Sequence, residues 1–151
     1  MTVHHETLRL EQSLCASPHR AFAAYLDTAE REIWSAPSDT AAVRIEHADV
    51  RTGGKETTRC GGKDDLRYRT EVHYNLVVPD RLISFSETLL EGDTVLTAAQ
   101  ITFEFRATDG GSHLVLTDQV TSFAGAEAID GHRQGFSASL NNFATFLANR
   151  T

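Results

Sequence analysis

The sequence predicts an α+β fold: a curved antiparallel sheet of about seven strands, two short helices after the first strand, and a long helix closing the chain. Three observations carry this. Period-two alternation recurs along the chain, and its clearest case has Tyr68, Thr70, Val72, Tyr74 and Leu76 on one face and Arg67, Arg69, Glu71, His73 and Asn75 on the other. Short turn signals separate the later runs: Gly53-Gly54, Gly61-Gly62, Pro79-Asp80, Gly92-Asp93 and Asp109-Gly110-Gly111. Between Asp130 and Arg150 the period changes to that of a helix, with Phe136, Leu140, Phe143 and Leu147 on one stripe and Phe146 widening it.

In chain order, residues 5–14 alternate as a half-buried strand. Ser17-Pro18 starts a helix with a capping serine and a proline at the first helical position. Asp27-Thr28-Ala29-Glu30 has the spacing of a second helix start, running to about Trp34, and Pro37 ends it. Strands follow over 43–50, 55–60, 66–78, 82–90, 95–107 and 112–121. Hairpin-length connections make their sheet antiparallel. The terminal helix, with Asp130 as its expected N-cap, needs a broad apolar surface, and one face of the sheet supplies it. Gly135 interrupts its stripe, either opening space beneath the helix or letting it approach the sheet.

Composition narrows function more by exclusion than by indication. At 151 residues, with 40% hydrophobic and 23% charged residues, the chain reads as a single domain, 1–151, able to build a core without metal or disulfides. A net charge of −7 and no cluster of Lys and Arg argue against nucleic acid. No apolar run approaches about 18 residues, so no membrane span is expected. The N-terminus lacks the basic and apolar regions of a secretion signal, which points to a cytoplasmic protein of bacterial style. Cys15 and Cys60 are expected as reduced, buried thiols, a disulfide between them being the alternative. The seven histidines show no metal-ligand spacing, and no phosphate or dinucleotide loop is present. No cofactor or metal is therefore expected.

The order of elements, together with specific motifs, resembles the SRPBCC or START-like superfamily. Those motifs are Ala16-Ser17-Pro18, Ile33-Trp34-Ser35-Ala36-Pro37, Arg51-x-Gly53-Gly54, Val78-Pro79-Asp80-Arg81-Leu82-Ile83, Ile101-Thr102-Phe103-Glu104-Phe105, Leu114-Val115-Leu116-Thr117-Asp118-Gln119 and Gly135-Phe136. Within it the chain is similar to the branch named after the activator of heat-shock-protein-90 ATPase. The resemblance implies a helix-grip fold, in which a gap between sheet and terminal helix can form a ligand cavity. Ser35 and Phe136 stand where relatives often carry a second aromatic and a tryptophan.

Inward alternation places Tyr68, Tyr74, Phe103 and Asp118 on the cavity lining, with Trp34 and Phe136 at its ends, and Phe85 facing the same way. His132 stands at its mouth, a solvated first-turn position being the alternative. For the aromatics, simple core filling is the competing reading. Asp118 is the sharpest candidate: a carboxylate in an apolar cavity can bind a polar group or serve as acid or base. Its bland alternatives are the end of a strand, or pairing with Arg81 or Arg133. The facing of Glu87 is open, since Ile83 and Phe85 carry it inward while Leu82 carries the serines inward. An inward Glu87 with Asp118 would form a general acid–base dyad.

Three functions fit. The first is binding of a small hydrophobic or amphipathic ligand by a monomer or homodimer. The second is a cofactor-free cyclase, dehydratase or hydrolase using Asp118. The third, implied by the branch name alone, is a chaperone ATPase-interaction module.

Overall fold

The computed structural model describes residues 1–150. The elements, in order, are β1 (His4–Leu14), α1 (Pro18–Leu26), α2 (Thr28–Ser35), β2 (Ala41–Ala48), β3 (Lys55–Gly62), β4 (Asp65–Val78), β5 (Leu82–Glu91), β6 (Thr94–Thr108), β7 (Gly111–Ser122) and α3 (Glu127–Ala148). The strands form one seven-stranded antiparallel sheet in the order β1-β7-β6-β5-β4-β3-β2. Only β1 leaves sequence order. It lies at one edge; the chain then passes through α1 and α2 to β2 at the opposite edge, and β7 returns to pair with β1.

The short helices start as their sequences require. Ser17 accepts from the Arg20 amide at 3.2 Å, and Pro18 occupies the first turn. Asp27 accepts from the Glu30 amide at 3.1 Å. The Glu30 carboxylate does not complete a capping box; it takes both terminal nitrogens of Arg20 at 2.9 Å, tying α2 to α1. The long helix begins three residues earlier than Asp130, at Glu127, with Ala126 in the capping position and no side-chain cap. The preceding turn is held instead by Ser122, whose hydroxyl donates to the Gly125 carbonyl and accepts from the Ala124 amide. Glu127 and Asp130 both fall in the first turn, where the helix dipole favours negative charge. The 22 residues make a rod of roughly 33 Å.

The core lies between the sheet and the helices. Leu140, Phe143, Phe146 and Leu147 of α3 are buried against Leu8, Leu114, Leu116 and Trp34, and Phe136 is half-buried at the margin. The outer sheet face is polar, with Ser84, Ser86, Asn75, Gln100 and Thr102 in a hydrogen-bonded group.

One expectation fails at the end of β4. Val72 and Tyr74 are buried, but Leu76 is 48% exposed. The pairing of β4 with β5 shifts register between Tyr74 and Leu76, so the following residues change face and Val77 packs on the core instead. The β2–β3 turn docks on β4 at the same place. The Gly53 amide donates to the Tyr74 carbonyl at 2.8 Å, and the Tyr74 amide to Gly54 at 2.9 Å. A side chain at Gly54 would lie 1.8 Å from the Asp49 carbonyl oxygen, so this turn closes only with glycine there. The cysteines are free thiols as expected, but they are not buried: Cys15 is exposed and Cys60 half-buried.

Candidate functional site

The α3 helix packs directly on β1 and β7 and against α2, and leaves a gap toward the other side of the sheet. That gap is a cavity of about 220 Å³, walled by Tyr25 of α1, Arg31, Trp34 and Ser35 of α2, and Phe136, Ser139 and Leu140 of α3. Its floor is Val43 and Ile45 (β2), Glu56, Thr58 and Cys60 (β3), Thr70 and Val72 (β4), Phe85 and Glu87 (β5), and Phe103 (β6). No residue of β1 or β7 reaches it. A side chain at Gly135 would meet nothing within 4 Å, so this glycine marks open space rather than close helix–sheet approach.

Of the residues singled out in the sequence, Trp34, Phe85, Phe103 and Phe136 line the cavity, and so does Glu87. Ile83 and Phe85 are buried, which fixes the facing of β5 and turns Glu87 inward with them. Tyr68, Tyr74, Asp118 and His132 do not line it. Tyr68 is half-buried opposite Cys60 on β3. Tyr74 is fully buried behind the wall and donates its hydroxyl proton to Glu56 at 2.8 Å. Because that proton is committed, the 3.1 Å contact between the Tyr74 and Tyr25 hydroxyls has Tyr25 as donor.

Asp118 is 0% exposed. Its partner is neither Arg81 nor Arg133 but His132, whose Nδ1 lies 2.7 Å from Oδ2. The other ring nitrogen, Nε2, lies 3.0 Å from the Thr97 hydroxyl. His132 is thus a buried latch, not a solvated first-turn residue, and Arg133 bonds Glu6 instead. The row of hydroxyl, imidazole and carboxylate has the order of a nucleophilic triad. Thr97 is only 1% exposed, however, and none of the three reaches the cavity. The row fastens the first turns of α3 to β6 and β7. Glu87 lines the cavity and Asp118 does not, so the two carboxylates do not face one shared space, although the charge of Asp118 acts on Glu87.

Sequence reading missed the polar centre of the wall. Arg31 donates from Nη1 and Nη2 to the two oxygens of Glu56 at 2.8 and 2.7 Å, and both side chains are buried. The guanidinium lies 4.4 Å from the Tyr25 ring centroid. Arg31 Nε and the Thr58 hydroxyl have no partner and are buried. Glu87 also has no hydrogen-bond partner for its carboxylate among the described residues. Burial pushes its pKa up to about 7, with Asp118 and Glu56 adding to the rise and His132 opposing it. For His132, burial favours the neutral ring, but the hydrogen bond and charge of Asp118, with Glu87 behind, outweigh it and raise the pKa.

Both shifts make the folded state hold protons more tightly than the unfolded chain, so stability falls as pH rises. The Glu87 contribution is lost from its ordinary value of 4.5 up to about 7. The His132 contribution is complete below 6.5 and is lost as pH rises through its raised folded value. Urea unfolding should therefore give a lower free energy at pH 8 than at pH 5.5. Glu87→Gln should flatten the acidic part of that decline and shrink, without abolishing, the part above 6.5, because Asp118 still holds the His132 proton. Stability that is constant or rising over this interval contradicts the account.

Comparison with known proteins now decides the family. Residues 15–148 match the family described as Activator of Hsp90 ATPase homolog 1-like protein. The chain belongs to this family. Solved structures agree with its helix-grip architecture. A Rhizobium leguminosarum protein is 28% identical, with a TM-score of 0.85 over 98% of this chain and 97% of that one. A Rhizobium loti protein is 27% identical, with a TM-score of 0.82 over 97% and 100% of the two chains. An AHSA1 protein from Silicibacter pomeroyi shares the fold at 22% identity, with a TM-score of 0.79 over 97% and 100%. No curated protein matches the chain. Among the described residues, no cluster of His, Cys, Asp or Glu is placed to hold a metal, and no helix is long and apolar enough to cross a membrane.

Proposed function

We propose that this family member binds a small, largely apolar molecule in the cavity beneath α3. The observation that carries the reading is the cavity itself. A half-open pocket of about 220 Å³ remains between the sheet and α3, where side chains elsewhere pack to near-crystalline density. An apolar cavity of about 150 Å³ already accepts benzene, so this one suits a single ring with a short substituent. Its aromatic lining with a few placed polar groups has the composition of a ligand site. Catalysis through Asp118 gains no support, because its carboxylate is sealed off and held by His132.

Thermal unfolding with toluene or indole tests this. At a hundredfold excess over its dissociation constant, a bound probe should stabilise the protein by about 2.7 kcal/mol, or roughly 5–10 °C. Val43→Phe, which fills the cavity from the rim at β2, should abolish the shift. No shift in the unmodified protein, or an equal one in Val43→Phe, rejects the proposal.

A further inference from the structure

Resting on that reading, we infer that the cavity selects a small amphipathic amine, its ring held among Trp34, Phe85, Phe103 and Phe136 and its ammonium held by Glu87. The argument is one of charge and unmet hydrogen bonds. Three charged side chains line the cavity: Arg31, Glu56 and Glu87. The first two neutralise each other through two short hydrogen bonds. Glu87 is left with neither hydrogen bond nor ion pair to its carboxylate among the described residues. A carboxylate left unpaired on a half-buried, largely apolar wall is costly, and a cation supplied by the ligand removes that cost. Thr58 supplies a second unmet group on the same lining: it is 8% exposed, and its hydroxyl has no partner.

The aromatic residues point the same way. Five lining residues carry aromatic rings, and ring faces attract ammonium groups but not carboxylates. An anionic ligand would meet Arg31 only through Nε, since Nη1 and Nη2 are held by Glu56, and would at the same time face the Glu87 carboxylate. A neutral ligand would leave Glu87 either protonated or, at higher pH, charged without a partner. The chain's net charge of −7 further favours a cation's approach.

Proton linkage gives a second readout. The charged and titratable groups that act on Glu87 are His132 from α3, Asp118 from β7 and Glu56 from β3. Cys60 and Tyr25 also feel its charge. Empty, the site keeps Glu87 protonated up to about pH 7. Binding an ammonium ion expels that proton, so amine affinity should rise with pH through about 7 and fall again only where the amine itself loses its charge, near 10.

Calorimetric titration with 2-phenylethylamine, 2-phenylethanol and 3-phenylpropanoate separates the possibilities, since the three differ mainly in the charge of one end. The amine should bind at least about tenfold more tightly than the alcohol, with the acid weakest. Glu87→Gln, nearly isosteric and confirmed folded by circular dichroism, should remove that preference and the pH dependence while still binding the alcohol. Equal binding of amine and alcohol, or an unchanged amine preference in Glu87→Gln, overturns the amine assignment but keeps the cavity reading. Binding of none of the three overturns both.

Discussion

Replacing Arg31 by methionine should destabilise the protein by about 3–5 kcal/mol, one of the two largest single-residue effects expected here. Methionine preserves much of the side chain's length and apolar stem, so lost packing contributes little. The damage comes from Glu56. It is 5% exposed and accepts hydrogen bonds from both terminal nitrogens of Arg31 and from the Tyr74 hydroxyl. Without Arg31 it keeps only the phenol, as an uncompensated charge beneath α2. Removing the carboxylate as well should restore most of the loss, because a buried pair replaced by apolar groups is often neutral or better. Urea unfolding of Arg31→Met, Glu56→Met and the double variant gives the coupling directly. Additive losses would show that the pair is not a unit.

Phe143→Ala should cost a comparable amount, about 3–5 kcal/mol, by a different mechanism. Phe143 is fully buried and stacks on Trp34 with ring centroids 4.1 Å apart and planes 20° from parallel. Trp34 is itself pinned by its indole nitrogen, which donates to the Ala24 carbonyl at 3.1 Å, so it cannot swing into the void. The neighbouring α2 and α3 are tied by Ser139 to the Ser35 carbonyl and by Asn142 to Ala36, which limits collapse further. The loss should be read by chemical denaturation, with tryptophan emission as the signal, since Trp34 is the only tryptophan in the chain. A loss below about 1 kcal/mol would mean that the helices close over the gap, and that the α2–α3 contact is softer than its geometry indicates.

The architecture was legible because it rests on periodicity and turns. The alternation along β4–β7 and the stripe from Leu140 to Leu147 follow from burial of one face, and hairpin glycines mark the strand ends. The site was legible only in part. Trp34, Phe85, Phe103 and Phe136 are apolar residues whose facing follows from alternation. Glu56, Thr58 and Cys60 share one face of β3, but the other face carries Lys55, Thr57 and Arg59. With polar residues on both sides, hydrophobic alternation has no contrast there. Arg31 lies one helical turn before Trp34 on the same buried face of α2, a signal visible only if a buried arginine is entertained. Asp118 shows the opposite failure. Alternation correctly turned it inward, but the sheet interior beside β1 and β7 is closed by α3, and a distant histidine claims the carboxylate. Which part of an inward face is cavity depends on where the helix lies, and strand patterning does not encode that.

The central claim, that the gap under α3 is a binding site, is tested most directly by a ¹H–¹⁵N NMR titration with 2-phenylethylamine. The single indole N–H of Trp34 and the amides of Thr58, Val72 and Glu87 should shift together and saturate at one dissociation constant, while Ser84 and Gln100 on the outer sheet face stay fixed. Shifts confined to the outer face, or none at Trp34 under saturating probe, would contradict it.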